Sequence, residues 1–201
     1  MPAKSKHIAE DVPAKRQTVS RQGDMHTNGL AGLFLHGIKG MYHAEKKIYK
    51  SLPKMVKAAQ ANELAGALSG HHEETQEHIS KLEKVFALLD QSPKSTRCAA
   101  VDGILDEAGS IMEEFGKTRA GDTALIFAAQ AVEHYEMTRY GSLNAFAHAL
   151  GYEEAASIIA SILEQETAAA GRLNEMAEGR IDFAAMNREH AEAGAMRKGA
   201  C

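Results

Sequence analysis

The sequence predicts an all-α protein, a four-helix bundle whose second and third helices are joined by a long crossover that carries a short extra helix. Three observations lead there. Composition is ordinary for a globular chain and leans helical, with 44% hydrophobic and 25% charged residues, 5% aromatics and no Trp. Four long segments repeat apolar residues at alternating spacings of three and four, the period of a helix with one buried stripe. The first pair and the last pair of segments are nearly contiguous, whereas about 30 residues, Gln91 to Gly121, separate the second from the third. A connection that long can run the length of a bundle and leave the helices it joins parallel. Two hairpins and one crossover are the ferritin-like arrangement, as distinct from an up-down-up-down bundle with three short loops.

Taken in order, residues 1 to 27 are polar and mildly basic, lack a hydrophobic period, hold Pro2 and Pro13, and read as a disordered basic arm. The bundle is expected over 28 to 179. Its first helix, from about Asn28 to Gln60, sets Phe34, Ile38, Met41, Glu45, Ile48, Leu52, Met55 and Ala59 on one stripe, with a kink or irregularity expected at Pro53. The second, from about Asn62 to Asp90, takes Asn62 as its N-cap and lines up Leu64, Leu68, His71, Thr75, His78, Leu82, Val85 and Leu89. A short amphipathic piece is expected in the crossover from about Val101 to Phe115. The third long helix, from about Asp122 to Leu150, gives Ile126, Ala129, Glu133, Glu136, Tyr140, Leu143, Ala147 and Leu150. Gly151 alone separates it from the fourth, Tyr152 to Glu178, which carries Ile159, Ile162, Glu166, Ala169, Leu173 and Met176 and has Gly179 as its stop. Residues 180 to 201, rich in Ala, Glu and Arg with broken periodicity, read as a tail or frayed helix.

A net charge of -4 argues against a general nucleic-acid binder, and five Lys and Arg in the arm are weak grounds for reversing that. No apolar run reaches the roughly 18 residues of a membrane span, and the first 25 residues lack a secretory apolar core, so no membrane association is expected and the cytoplasm is the default compartment. Cys98 and Cys201 match no zinc or redox spacing.

Every stripe is interrupted near its middle by a carboxylate: Glu45, Glu74 on the flank of the second, the pair Glu133 and Glu136, and Glu166. His71 and His78 stand three before and four after Glu74, within about a 60° sector of the helix. Packed in register, these groups meet at one level of the core, where an unpaired carboxylate costs several kcal/mol and like charges raise each other's pKa. The stripes offer no Lys or Arg to pair with them. Two divalent cations offset the charge at least cost, and mixed oxygen and imidazole ligands suit iron, with manganese the other fit. Taken singly, Glu45 reads as a boundary residue and each histidine as a hydrogen-bonded core residue. The recurrence on four helices moves the weight to a dimetal site over a metal-free polar network. Tyr140 and Tyr42 read as core.

The segments LFLHGIKGMYHAEKKIYKSLPKMVKAA, HHEETQEHISKLEKVFALL and DTALIFAAQAVEHYEMTRYGSLNAFAHALG resemble the YciE/YciF family of ferritin-like stress proteins over residues 30 to 178. The resemblance implies a homodimer, association with bacterial stress and a di-iron or other dimetal centre. It makes Glu45, Glu74, Glu133, Glu136 and Glu166 the candidate metal ligands, joined by His71 and His78. Well-studied di-iron bundles carry Glu-x-x-His on two helices. Here Glu77 stands three after Glu74, with His78 one further, and Ala169 stands three after Glu166. Two functions follow as expectations: oxidation of Fe(II) by peroxide or dioxygen at the centre, with Glu74 or Glu136 as the bridge, or a non-enzymatic helical stress protein with a structural metal or a metal-free polar core.

Overall fold

A computed structural model describes residues 29–180. The arm expected over 1 to 27 and the tail expected over 180 to 201 lie outside the described residues, Arg180 excepted. The elements are α1 (Leu30–Ala58), α2 (Asn62–Leu88), α3 (Ala99–Phe115), α4 (Gly121–Ala149) and α5 (Glu153–Arg180). The four long helices form a ferritin-like bundle in which α1 lies against α2 and α4, and α5 against α4 and α2. The crossover helix α3 packs on the outside, chiefly on α4. No helix among the described residues is long and apolar enough to cross a membrane.

The stripes become the core. Phe34, Ile38, Met41, Ile48 and Leu52 of α1 meet Leu64, Leu68, Leu82 and Val85 of α2, Ile126, Ala129, Leu143 and Ala147 of α4, and Ile159, Ile162 and Leu173 of α5 in one buried cluster. Each large side chain so buried contributes about 1.5–3 kcal/mol. α1 runs unbroken through Pro53. The proline removes an N–H that would bond Tyr49, but it sits close enough to the helix end for the rest to continue.

Two helix ends are set by the same device. After α4, the Gly151 N–H bonds the His148 carbonyl and the Tyr152 N–H the Ala147 carbonyl, with Gly151 at φ 71°. This is a Schellman turn, and it reverses the chain between α4 and α5. After α2, Asp90 at φ 53° and Gln91 make the equivalent bonds to Ala87 and Phe86. Other ends depart from expectation. Asn62 is the first residue of α2 and not its cap; Ala61 precedes the helix without a side-chain cap. The Asp122 carboxylate of α4 instead accepts from the N–H groups of Gln60 and Ala61 at 2.7 and 3.0 Å. That contact brings the starts of α2 and α4 to one end of the bundle, which makes the two helices parallel as the crossover requires. Gly179 does not stop α5, which continues to Arg180.

The crossover is pinned twice. The Thr96 N–H bonds the Lys39 carbonyl of α1. Asp102, on the first turn of α3, accepts from Arg97 Nε at 2.7 Å, faces His43 Nε2 at 3.0 Å and pairs with Lys47 at 3.5 Å. Arg97 foremost, then His43, hold the Asp102 carboxyl well below the usual carboxylate range.

Candidate metal centre

Because each interruption falls near the middle of its helix, packing the four stripes brings the polar residues to one level. Glu45, His71, His78, Glu133, Glu136 and Glu166 are all buried there, none more than 4% exposed. They fall into two overlapping sets. One ligand atom from each of His71, Glu133, Glu136 and Glu166 lies within 4.8 Å of the others, and the same holds for Glu45, His78 and Glu166. Glu166 belongs to both sets. Glu74, on the flank of α2, belongs to neither: 28% of its side chain is exposed, and its Oε2 lies 3.2 Å from Arg172 Nη2 of α5 and 3.6 Å from His71 Nδ1.

Most polar atoms of this level are left without aligned partners. Glu45 Oε2, Glu133 Oε2, both oxygens of Glu136 and of Glu166, both ring nitrogens of His71 and His78 Nδ1 are buried and make no hydrogen bond. Several nonetheless face one another as ions. His78 Nδ1 is 3.0 Å from Glu166 and 3.5 Å from Glu45, and His71 Nε2 is 3.4 Å from Glu133, close enough for charge attraction but not oriented for a bond. A buried polar atom without a partner costs about 1–3 kcal/mol. So many gathered in one place, all of them oxygen or imidazole nitrogen, form a donor set that could hold a hard or borderline divalent metal ion, and the residues fit such a group.

Side chains one layer out orient this set. Tyr140, read from sequence as core, is fully buried and also donates its hydroxyl to Glu45 Oε1. Tyr42 instead donates to Glu83 at 2.7 Å, away from the site. His78 Nε2 lies 3.2 Å from Gln165 Oε1, which also accepts from Lys81 Nζ at 2.5 Å. With Nε2–H donating to Gln165, the Nδ1 lone pair of a neutral His78 points at Glu45 and Glu166. Gln165 and Lys81 escape a reading by stripes because they sit on helix flanks. Their one signal is spacing, Gln165 beside Glu166 and Lys81 three residues after His78.

Protonation follows from crowding. Burial opposes charge on both histidines, yet the carboxylates outweigh it: Glu166 and Glu45 raise His78 to about 10, and Glu74 and Glu133 raise His71 to about 9. Burial, reinforced by neighbouring carboxylates, pushes Glu133 and Glu136 well above the usual range, and burial also raises Glu45. Glu166 goes the other way: burial would raise it, but the two histidines hold it down.

Comparisons with known proteins agree with the fold. Residues 30–186 match the family described as "Domain of unknown function (DUF892)". Protein YciF of Escherichia coli (strain K12) is 33% identical over 165 residues, 82% of this chain and 99% of that protein. The crystal structure of the E. coli stress protein YciF covers 77% of this chain and 98% of its own with a TM-score of 0.73. YcfI from Rhodopseudomonas palustris is 40% identical, with a TM-score of 0.71 over 76% of this chain and 96% of its own. A Xanthomonas campestris protein, 24% identical with a TM-score of 0.62, shares the fold. By the family match and by its identity to YciF along most of both chains, this protein belongs to the DUF892 family of ferritin-like helical bundles.

Proposed function

We propose that the bundle holds a dinuclear metal centre, iron first and manganese as the other fit, and that it oxidises Fe(II) with peroxide or dioxygen in a stress setting. One observation carries the reading. The oxygens of Glu45, Glu133, Glu136 and Glu166 converge in the core with His71, His78 and Tyr140 as their polar neighbours, and no Lys or Arg among the described residues pairs with them. Two divalent cations carry about the +4 that four carboxylates need.

In this reading Glu45 and His78 would serve one ion and His71, Glu133 and Glu136 the other, with Glu166 the carboxylate common to both donor sets. When bound, the pair of ions supplies redox equivalents and Lewis acidity to a small oxidant. Tyr140 fixes the rotamer of Glu45, and Gln165 fixes the ring of His78. The raised histidines mean that binding displaces protons from His71 and His78. A homodimer belongs to the same proposal; the resemblance to the family supports it, and Phe127, 63% exposed, offers apolar surface for one.

The test is metal analysis of protein purified without chelators. About two iron or manganese ions per chain are expected, with loss on Glu166→Ala, the shared residue. Absence of metal together with melting unchanged by EDTA sinks the proposal. Consumption of peroxide by Fe(II)-loaded protein separates turnover from a structural metal. The protonation pattern favours one competing reading, a metal-free polar core in which neutral Glu133 and Glu136 surround histidine–carboxylate ion pairs. EDTA-insensitive melting is its signature.

A further inference from the structure

A narrow cleft opens between α2 and α5 on the side of the site occupied by His71 and Glu133. Ala67, Leu68 and His71 line it from α2, Ala169, Arg172 and Leu173 from α5, and the buried Glu133 from α4. Its room, about 10 Å³, is of the order of one water molecule. Two features bear on what could enter it. Ala169 stands three residues after Glu166, where the Glu-x-x-His pattern would place a ligand, and its small side chain leaves α5 without one there. The Arg172–Glu74 ion pair lies beside Arg172's part of the wall, and Glu74 Oε2 also lies 3.6 Å from His71 Nδ1. Glu74 is thus part exposed to solvent and next to a buried ligand candidate, while belonging to neither ligand set.

We propose that this cleft is the uptake route for the divalent cation, with Glu74 the carboxylate that receives it and Arg172 the counter-ion it displaces. The inference rests on the metal-binding reading above. Glu74 brings negative charge to the mouth, and Arg172 neutralises it when no cation is in transit. An arriving cation takes over Glu74, Arg172 swings to solvent, and the ion passes between the two alanines to His71 and Glu133. A space of about 10 Å³ suits a cation stripped of most of its water, a small oxidant or water itself, and is too small for an organic substrate.

Stopped-flow uptake of Co(II) by metal-free protein, followed by its visible absorption, reads the rate; equilibrium dialysis reads stoichiometry and affinity. Ala67→Leu narrows the cleft at a half-buried position and slows uptake at unchanged stoichiometry. Arg172→Ala removes a positive charge from the mouth and speeds uptake about 10-fold, an effect that salt diminishes. Glu74→Gln slows uptake and leaves the final stoichiometry intact. Rates unchanged in Ala67→Leu and Arg172→Ala, with the wild type binding normally, overturn the route and leave the metal centre standing. A lowered stoichiometry in Glu74→Gln overturns it by making Glu74 a resident ligand. Failure of the wild type to bind any Co(II) overturns the route and the metal centre together.

Discussion

His78 shows how one side chain is prepared by its surroundings. A neutral imidazole has one donor and one acceptor nitrogen, and which is which depends on the partner of either. Gln165, whose carbonyl oxygen also accepts a hydrogen bond from Lys81 Nζ, is an acceptor toward His78 Nε2, so Nδ1 is the nitrogen left for the site. Gln165→Leu removes that preference. Metal affinity is expected to fall about 10-fold or more with stoichiometry unchanged, read by competition with a chromophoric chelator. Equal affinity would mean that packing alone orients the ring. Tyr140 does for Glu45 what Gln165 does for His78. Tyr140→Phe strands a buried carboxylate oxygen, and urea unfolding of the metal-free protein should show a loss of about 1–3 kcal/mol. A change within about 0.3 kcal/mol would show that the hydroxyl contributes nothing net.

Among the elements, the turn between α4 and α5 depends on Gly151, the one glycine among the described residues with positive φ. A Cβ there meets no neighbouring atom, so the strain of Gly151→Ala is purely in the backbone and should cost about 1 kcal/mol. The same substitution at Gly66, inside α2 and open to solvent, should stabilise by about 0.5–1 kcal/mol. Thermal melts of the two variants must move in opposite directions; shifts of the same sign would refute the conformational argument. The long helices and the short crossover helix are legible in the sequence because their apolar period persists over many turns. Their ends are less so. The cap predicted at Asn62 loses to the Asp122 carboxylate, which comes from a distant helix and reaches the chain just ahead of α2. Gly179 fails as a stop because glycine ends a helix only where the chain turns left-handed, and α5 does not turn there. The site is partly legible for a related reason. A carboxylate inside an apolar stripe betrays its own burial, as at Glu45, Glu133, Glu136 and Glu166. Glu74 lies on the edge of a stripe, where a 60° sector cannot separate facing the core from facing solvent, and only the neighbouring Arg172 decides it.

For the molecule as a whole, the fold is tied to the protonation of its centre. Four helices converge on groups whose charges balance only if protons or metal ions sit among them. His71 at about 9 and His78 at about 10 are raised above the ordinary 6.5 of an imidazole, so the stability they add is fully present below about pH 6.5. It is lost as pH rises through their folded values. Glu133 and Glu136 are raised by burial, so the folded state prefers them neutral, and raising pH above the ordinary carboxylate value also weakens the fold. The two contributions therefore have the same sign. Metal binding has the opposite one, because its ligands must first give up their protons. In EDTA, the melting temperature should fall steadily from about pH 6 to about pH 9, while the difference between metal-loaded and EDTA-treated protein widens over the same interval. A melting temperature in EDTA that climbs with pH would show that the histidines and glutamates of the metal-free centre do not hold their protons. A difference that stays constant would mean that metal enters without displacing them, which four buried carboxylates and two raised histidines do not permit.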